Sequence, residues 1–337
     1  MKHRLALVGF GTVGQGIAEI LEKKRGELKS AYDYDFDIVA VSDLRFGTAY
    51  NPDGLNIPSL LGDAKKGKFT QNVKDWNALQ TIKESNATVV CEMSFTDLKT
   101  GEPAISHCKA AFETKKHIVT SNKGPAALAY RDMKELAKKH GVKFLIEGTV
   151  MSGTPVLNLA DGPLAGCTIK GIRGILNGTT NYILTQMENG MDYSAALKKA
   201  QELGYAEADP TGDVEGYDAR GKVTILTNVV MGAKFAINDV TCKGITGITS
   251  ADIEKAKKEN HRWKLIGSVK NENGKITASV APEKIPMTHP LASAMGATNA
   301  LTFSTDLMGD ITIVGAGAGR TETGFSILAD LLKIYRS

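Results

Sequence analysis

Leu5-Ala6-Leu7-Val8-Gly9-Phe10-Gly11-Thr12-Val13-Gly14 organises the reading of the whole chain. Four apolar residues in a row, as in a strand covered on both faces, run straight into three glycines at G-x-G-x-x-G spacing. Val13, Ile17, Ile20 and Leu21 then recur at helical spacing. In a strand–turn–helix of this kind each glycine answers a separate need. Gly9 permits the tight turn, Gly11 lets the backbone approach a pyrophosphate, and Gly14 lets helix and strand pack closely. The helix N-terminus offers free N–H groups and a favourable dipole to phosphate. A glycine-rich turn with no ligand is the competing reading, and the strand before and helix after weigh against it. Gly9, Gly11, Thr12, Val13 and Gly14 are therefore candidate dinucleotide contacts.

Working outward, Ile38–Val41, Thr88–Glu92, His117–Thr120 and Gly141–Ile146 read as further buried strands, with helices over about Pro103–Thr114 and Pro125–His140. Strands alternating with helices imply parallel βαβ units. The insert from Leu44 to Asn77, with its glycines and prolines, reads as a long loop region with short helices. After Glu147 the pattern changes. Strands are expected at Thr168–Leu176, Asp239–Gly247 and Lys275–Val280, and helices near Asn181–Asn189, Tyr193–Leu203, Ala219–Met231 and Ser250–Glu259. Asp310–Val314 reads as a strand leading through Gly315–Gly319 into a helix, Thr323–Tyr335, that returns to the first domain. The expected fold is α/β: a Rossmann-type doubly wound, mostly parallel sheet with a second α+β domain for substrate binding and dimerisation. The division places residues 1–147 and 305–337 in the dinucleotide-binding domain and 148–304 in the second.

Composition excludes several classes. The 337 residues are 42% hydrophobic and 23% charged, an ordinary globular balance. Lys plus Arg number 41 and Asp plus Glu 37, a net charge of +4 with no basic stripe, so nucleic acid is not an expected partner. No run of 18 apolar residues suggests a membrane span, and the N-terminus lacks a signal-peptide core. The four cysteines (Cys91, Cys108, Cys167, Cys242) stand far apart, as isolated reduced thiols would. A cytoplasmic location is the expectation.

Several side chains are placed for chemistry. Asp43 ends the second strand, where an acid binds ribose hydroxyls and favours NAD. Arg45 lies two residues on, where a cation favours the 2′-phosphate of NADP. The two signals conflict, and Lys65, Lys66 and Lys68 nearby read more as a solvated surface cluster than as cofactor contacts. Lys123 and the Ser94-Phe95-Thr96 turn follow strand ends, the side of an open α/β sheet that binds ligands. Glu202–Lys222 packs six carboxylates among glycines and a proline. Asp218 and Lys222 are four apart, on one helical face. A surface salt bridge and a proton-transfer pair fit that spacing equally well.

With these residues in hand, the sequence resembles homoserine dehydrogenase. The likeness rests on Gly9–Gly14, Thr120-Ser121-Asn122-Lys123, Gly174–Ile183, the Leu203–Lys222 block with Gly204-Tyr205-Ala206-Glu207-Ala208-Asp209-Pro210-Thr211, and the Gly315–Gly319 loop. The resemblance implies reversible conversion of L-aspartate 4-semialdehyde and NADP(H) or NAD(H) to L-homoserine, in threonine and methionine biosynthesis. By the family pattern Lys222 and Lys123 flank the reacting oxygen and Asp218 assists. Glu207 and Asp213 hold the substrate and its ammonium, and Gly178, Thr179 and Tyr205 line the amino-acid site. Gly317 and Gly319 join the cofactor contacts. A monovalent cation, Na+ or K+, would sit on main-chain carbonyls of Glu147, Val150, Ser152 and Thr154, and a homodimer is implied. Arg320-Thr321-Glu322-Thr323-Gly324 is more polar than the family's small-residue pattern. The chain ends soon after, so the expectation is a short form with neither kinase nor C-terminal regulatory domain, and without feedback control by threonine through such a domain. Two other readings compete. One is a Rossmann oxidoreductase on another amino-acid-derived carbonyl. The other is a non-catalytic NAD(P)-binding regulator, which the presence of Lys123, Asp218 and Lys222 disfavours.

Overall fold

A computed structural model describes residues 2–336 and divides into two compact units, residues 1–153 with 319–337 and residues 154–318. In the first unit β1 (His3–Val8) leads through the glycines into α1 (Thr12–Tyr32), then β2 (Phe36–Asp43), β3 (Gly47–Tyr50), α2 (Ile57–Lys66), β4 (Val73–Lys74) and α3 (Ala78–Glu84). There follow β5 (Val89–Glu92), α4 (Ala104–Glu113), β6 (His117–Thr120), α5 (Lys123–Leu128), α6 (Tyr130–Lys139) and β7 (Phe144–Leu145). The sheet order is β4-β3-β2-β1-β5-β6-β7, parallel from β2 through β7. The chain moves outward from β1 to β2, then crosses to β5 on the other side. That reversal is the switch point where doubly wound sheets bind ligands.

β1 explains why its residues are apolar without alternation. Leu5 and Leu7 enter one cluster with Ile17, Leu21, Ile327 and Leu331. Ala6 and Val8 enter the other, with Ile105, Phe112 and Met133. Both faces of the strand are covered, as in other parallel sheets.

Three local expectations are corrected. The insert at 44–77 is not only loop, because β3 and β4 extend the sheet antiparallel beside β2. The helix expected over Pro125–His140 is two helices, broken where Ala129 leaves helical geometry (φ −139°). The strand expected over Gly141–Ile146 shrinks to two residues.

The second unit contains α7 (Val156–Asp161), β8 (Ile169–Ile175), α8 (Gly178–Glu188), α9 (Tyr193–Glu202), α10 (Thr211–Val214), α11 (Tyr217–Val229), β9 (Thr241–Cys242) and α12 (Ser250–Lys258). β10 (His261–Glu272), β11 (Lys275–Pro286), β12 (Thr298–Thr305) and β13 (Asp310–Ala316) complete it. The sheet order is β13-β12-β8-β10-β11-β9, with α8, α11 and α12 packed on β10. β10 and β11 form a long hairpin turning at Asn273-Gly274, both at positive φ, as a two-residue Asn-Gly turn requires. The sequence reading missed β10 and β12 and saw only half of β11. In β10, six consecutive residues from Lys264 to Val269 are buried, so no alternation marks the strand. The strand expected over Asp239–Gly247 is two residues long. β13 pairs antiparallel with β12 in the second sheet, so the Asp310–Val314 strand does not return to the first unit. Only α13 (Arg320–Tyr335) does, packing on α1.

Candidate active site

In the first unit the three glycines meet three different surroundings. Gly9 stands at φ +91°, and a Cβ there would strike the Met93 carbonyl on β5's exit. A Cβ on Gly14 would strike the Gly9 main-chain carbonyl oxygen. A Cβ on Gly11 would meet nothing within 4 Å. The first two are needed for packing, whereas the third faces open space at the start of α1. Gly11 caps α1 without a side-chain hydrogen bond, so no side chain satisfies the first N–H groups of the helix. This is the cradle a pyrophosphate fits. Thr12 is exposed and Val13 half-buried on the first turn.

Asp43 is tied to that loop. Its Oδ2 accepts the Phe10 N–H at 2.7 Å and its Oδ1 the Arg45 N–H at 2.8 Å. Arg45 itself is exposed, its guanidinium 5.0 Å from the centroid of the Phe46 ring. Ser94 and exposed Thr96 follow β5, and Lys123 starts α5 beyond β6, all at the carboxyl end of the sheet.

In the second unit four polar side chains converge. Lys222 on α11 donates to Asp218 Oδ2 and to the Leu176 carbonyl, each at 2.7 Å. Asn177 donates through Nδ2 to Asp213 Oδ1 at 2.6 Å and Asp218 Oδ2 at 3.0 Å. Its Oδ1 caps α8 through the Thr180 N–H at 2.9 Å. Burial pushes the Asp213 carboxyl above the usual range, opposed by the Asn177 bond and assisted by neighbouring Asp218. Lys222 is buried, so the surface salt bridge weighed for this spacing does not describe it. Beside Gly178, which opens α8, the Thr179 hydroxyl donates to the Tyr205 carbonyl at 2.6 Å, tying the start of α8 to the Tyr205–Asp213 loop. Glu207 is exposed on that loop, apart from the Lys222 cluster's hydrogen bonds.

The remaining candidates have local explanations. A Cβ on Gly317 would overlap the Asn299 amide, and one on Gly319 (φ +146°) the Glu322 carboxylate. Glu147 opens a 3-10 turn, and its carbonyl accepts the Val150 N–H at 3.4 Å. Met151 and Ser152 follow at φ +56° and +55°. Two successive non-glycine residues in the left-handed region are uncommon. Ser152 Oγ lies 2.6 Å from Thr323 Oγ, and the Thr154 hydroxyl donates to the Ala316 carbonyl at 3.0 Å. Among the described residues no group of three His, Cys, Asp or Glu side chains could hold a metal. Arg320, unexpected in the family pattern, pairs bidentately with Glu19. No helix among the described residues is long and apolar enough to cross a membrane.

Sequence reasoning passed over Asn177 as a functional residue. Its signal was available, since Asn immediately before Gly-Thr-Thr reads as a helix N-cap.

A dinucleotide cradle at the switch point of a doubly wound sheet, and a buried Lys–Asp pair in a second unit, define a nucleotide-dependent oxidoreductase. Two family models match the chain, the NAD-binding domain of homoserine dehydrogenase over residues 9–147 and homoserine dehydrogenase over residues 155–332. An NAD(+)-dependent homoserine dehydrogenase from Pseudomonas canavaninivorans is 47% identical, over 100% of this chain and 97% of that protein. The homoserine dehydrogenase of Methanocaldococcus jannaschii is 44% identical, covering 99% and 98%. The crystal structure of a putative homoserine dehydrogenase from Archaeoglobus fulgidus matches with a TM-score of 0.90 at 39% identity, covering 99% of both chains. A hyperthermophilic archaeal homoserine dehydrogenase in complex with NADPH matches with a TM-score of 0.84 at 27% identity, covering 100% of this chain and 98% of that one. The chain belongs to the homoserine dehydrogenase family, NAD(P)-dependent oxidoreductases acting on homoserine. The expected fold class stands with it.

Proposed function

We propose that the second unit carries out proton transfer at the substrate oxygen through Lys222, with Asp218 holding the lysine in place. The carrying observation is the Lys222 ammonium fixed 2.7 Å from both Asp218 and the Leu176 carbonyl. An ammonium has three donors, and two are spent there. The third is left for a carbonyl oxygen, where negative charge develops on reduction. Bound reduced nicotinamide supplies the hydride to the carbonyl carbon. Lys222 gives the proton to the oxygen, and in the oxidation direction takes it back. Asp213, Asp218 and exposed Glu207 supply the negative charge that the substrate's ammonium requires. Gly178, Thr179 and Tyr205 shape the wall of the amino-acid site, supported by the Thr179–Tyr205 tie.

In the first unit Gly9, Gly11, Thr12, Val13 and Gly14 take the cofactor's pyrophosphate, and Asp43 and Arg45 its adenosine end. Ser94, Thr96 and Lys123 serve at the strand ends, Lys123 as a second cation for the reacting oxygen. Gly319 completes the set there, and Gly317, which falls in the second unit, is the remaining proposed cofactor contact. A monovalent cation on the main-chain carbonyls of Glu147, Val150, Ser152 and Thr154 is supported by the left-handed pair at Met151 and Ser152, and removing Na+ and K+ from the assay tests it. A homodimer in the cytoplasm rounds out the reading.

The test is nicotinamide oxidation and reduction with L-homoserine and L-aspartate 4-semialdehyde, run with NAD(H) and NADP(H) in parallel. Turnover is expected, and the better cofactor decides between the opposed pulls of Asp43 and Arg45. Cofactor binding without turnover of either substrate would overturn the substrate assignment in favour of another amino-acid-derived carbonyl.

A further inference from the structure

The first sheet holds a carboxylate that the reaction above does not use. Glu92 closes β5, the strand beside β1 at the switch point, and is 0% exposed. Its Oε1 accepts the Ser94 N–H at 3.2 Å and the Ser94 hydroxyl, and lies 3.2 Å from Nδ1 of His107. Its Oε2 lies 3.1 Å from the Thr120 hydroxyl, which shares its proton between that carboxylate and the Glu92 main-chain carbonyl at 2.7 Å. Thr120 Oγ in turn accepts the Asn122 N–H at 2.9 Å. The Asn122 amide donates to the carbonyls of Ser94 at 3.1 Å and Phe95 at 2.9 Å, and its oxygen caps α5 through the Gly124 N–H at 2.9 Å.

These bonds close a ring, Glu92–Ser94–Asn122–Thr120–Glu92. One arm is the turn after β5 and the other is the turn after β6 that carries Lys123. Both lie at the carboxyl ends of strands, where ligands bind. Burying a carboxylate is costly, and an apolar side chain could fill the end of a covered strand at lower cost. Among the described residues the one basic side chain within reach of Glu92 is the buried imidazole of His107 on α4. The carboxylate is thus placed to organise two loops, with no exposed charge to satisfy it.

We propose that Glu92 is a positioning residue for the nicotinamide cofactor, locking the Ser94–Thr96 and Thr120–Lys123 turns into one register. The inference rests on reading these turns as cofactor contacts. The loss of this hub relaxes both turns at once, so cofactor affinity falls; Lys123 moves with its turn, and because it acts on the reacting oxygen its displacement lowers kcat rather than raising homoserine KM.

The test uses the full chain. NADH and NADPH are titrated by fluorescence against wild type, Glu92→Met and Glu92→Gln, alongside homoserine KM and Tm. Glu92→Met is expected to weaken both cofactors by about tenfold or more, the loss of hydrogen bonds to a charged acceptor, with homoserine KM changed less than about twofold. Glu92→Gln is expected to recover to within about threefold of wild type, because its oxygen keeps the Oε1 role and its amide donates to Thr120 Oγ. Unchanged cofactor affinity in Glu92→Met overturns the proposal. So does a joint shift of cofactor affinity, homoserine KM and Tm, the mark of a packing defect. If Glu92→Met does not fold, Thr120→Val and Thr120→Ser take its place. Valine is expected to weaken the cofactor and serine to restore it, and equal affinities overturn the proposal. A wild type that binds cofactor but leaves homoserine unchanged defeats the substrate reading alone, and the affinity ratios still decide the role of Glu92.

Discussion

Replacing Lys222 by methionine separates its chemistry from its packing. The thioether fills much the same volume and removes only the ammonium. Two acceptors then lose a donor, Asp218 Oδ2 and the Leu176 carbonyl, each 2.7 Å away. Breaking a fully buried ion pair costs about 3–5 kcal/mol, because a charge is stranded. Asp218 is not fully stranded, since it keeps the Asn177 bond at 3.0 Å and its side chain is 21% exposed. The Leu176 carbonyl loses the lysine and costs about 1–3 kcal/mol as an unmet acceptor. A destabilisation of about 2–3 kcal/mol follows, a fall in Tm of roughly 4–10 °C. Adding Asp218→Asn removes the uncompensated charge, so the double variant is expected to be more stable than Lys222→Met by about 1 kcal/mol. Turnover responds on a larger scale. Losing a positioned proton donor lowers kcat by about 10²–10⁴-fold, or about 3–5 kcal/mol of barrier. The assay pairs kcat, from nicotinamide absorbance, with cofactor affinity, from fluorescence titration of the same preparation. A kcat within tenfold of wild type, or an equal loss of cofactor affinity, would refute the assignment of Lys222 to the proton-transfer step.

Gly11→Ala and Gly14→Ala are expected to part company. Both weaken cofactor binding, but only Gly14→Ala lowers Tm, because its Cβ meets the Gly9 backbone while that of Gly11 meets open space. Equal Tm losses would show that Gly11 is held by packing. Burial, with His117 adding to it, pushes the pKa of His3 down from 6.5 to about 4. A depressed value means the stability is present above pH 6.5 and lost as the pH falls through 4, about 3 kcal/mol in all. His3→Phe is expected to flatten the dependence of urea midpoint on pH across that window, and parallel curves for the two proteins would contradict it. Asn177→Asp removes the amide that donates to Asp213 and Asp218 and adds a third carboxylate. Asp213, already raised by burial, is pushed further up by a third carboxylate, so stability is present at low pH and lost as the pH climbs through its folded value. The variant's Tm deficit relative to wild type is expected to be larger at pH 8 than at pH 5, and a deficit independent of pH would count against a charge effect.

What could be read from the sequence follows the range of the interactions. The β1–glycine–α1 segment was legible because its signal is compact, an unbroken apolar run, three glycines and a helical repeat all between Leu5 and Leu21. The Asp218–Lys222 pair was legible for the same reason, being one helical turn apart. β3 and β4 were not, since short edge strands gain their identity from the neighbour they pair with. β10 was hidden by its own burial, which erases alternation. Asn177 and Glu92 were the least legible. Asn177 meets Asp213 across 36 positions, and Glu92 meets Thr120 across 28. Glu92 on its own reads merely as the polar end of an apolar strand.

The return of α13 to the first unit also governs the order of assembly. Residues 154–318 form the second unit, yet Ile327, Leu328 and Leu331 fill the cluster around Ile17 and Leu21. Gly16 and Gly324 let α1 and α13 approach backbone to backbone, and Arg320 clasps Glu19 across them. During synthesis the dinucleotide sheet leaves the ribosome first but cannot close, for its last helix is made only after the entire second unit. Until then one flank of α1 stands bare, an apolar surface open to aggregation or to a chaperone. The second unit, continuous in sequence, has no such wait. The domain that begins the chain is therefore the one completed last, and lesions in residues 319–336 would act on the cofactor unit though they lie some three hundred positions from its glycines.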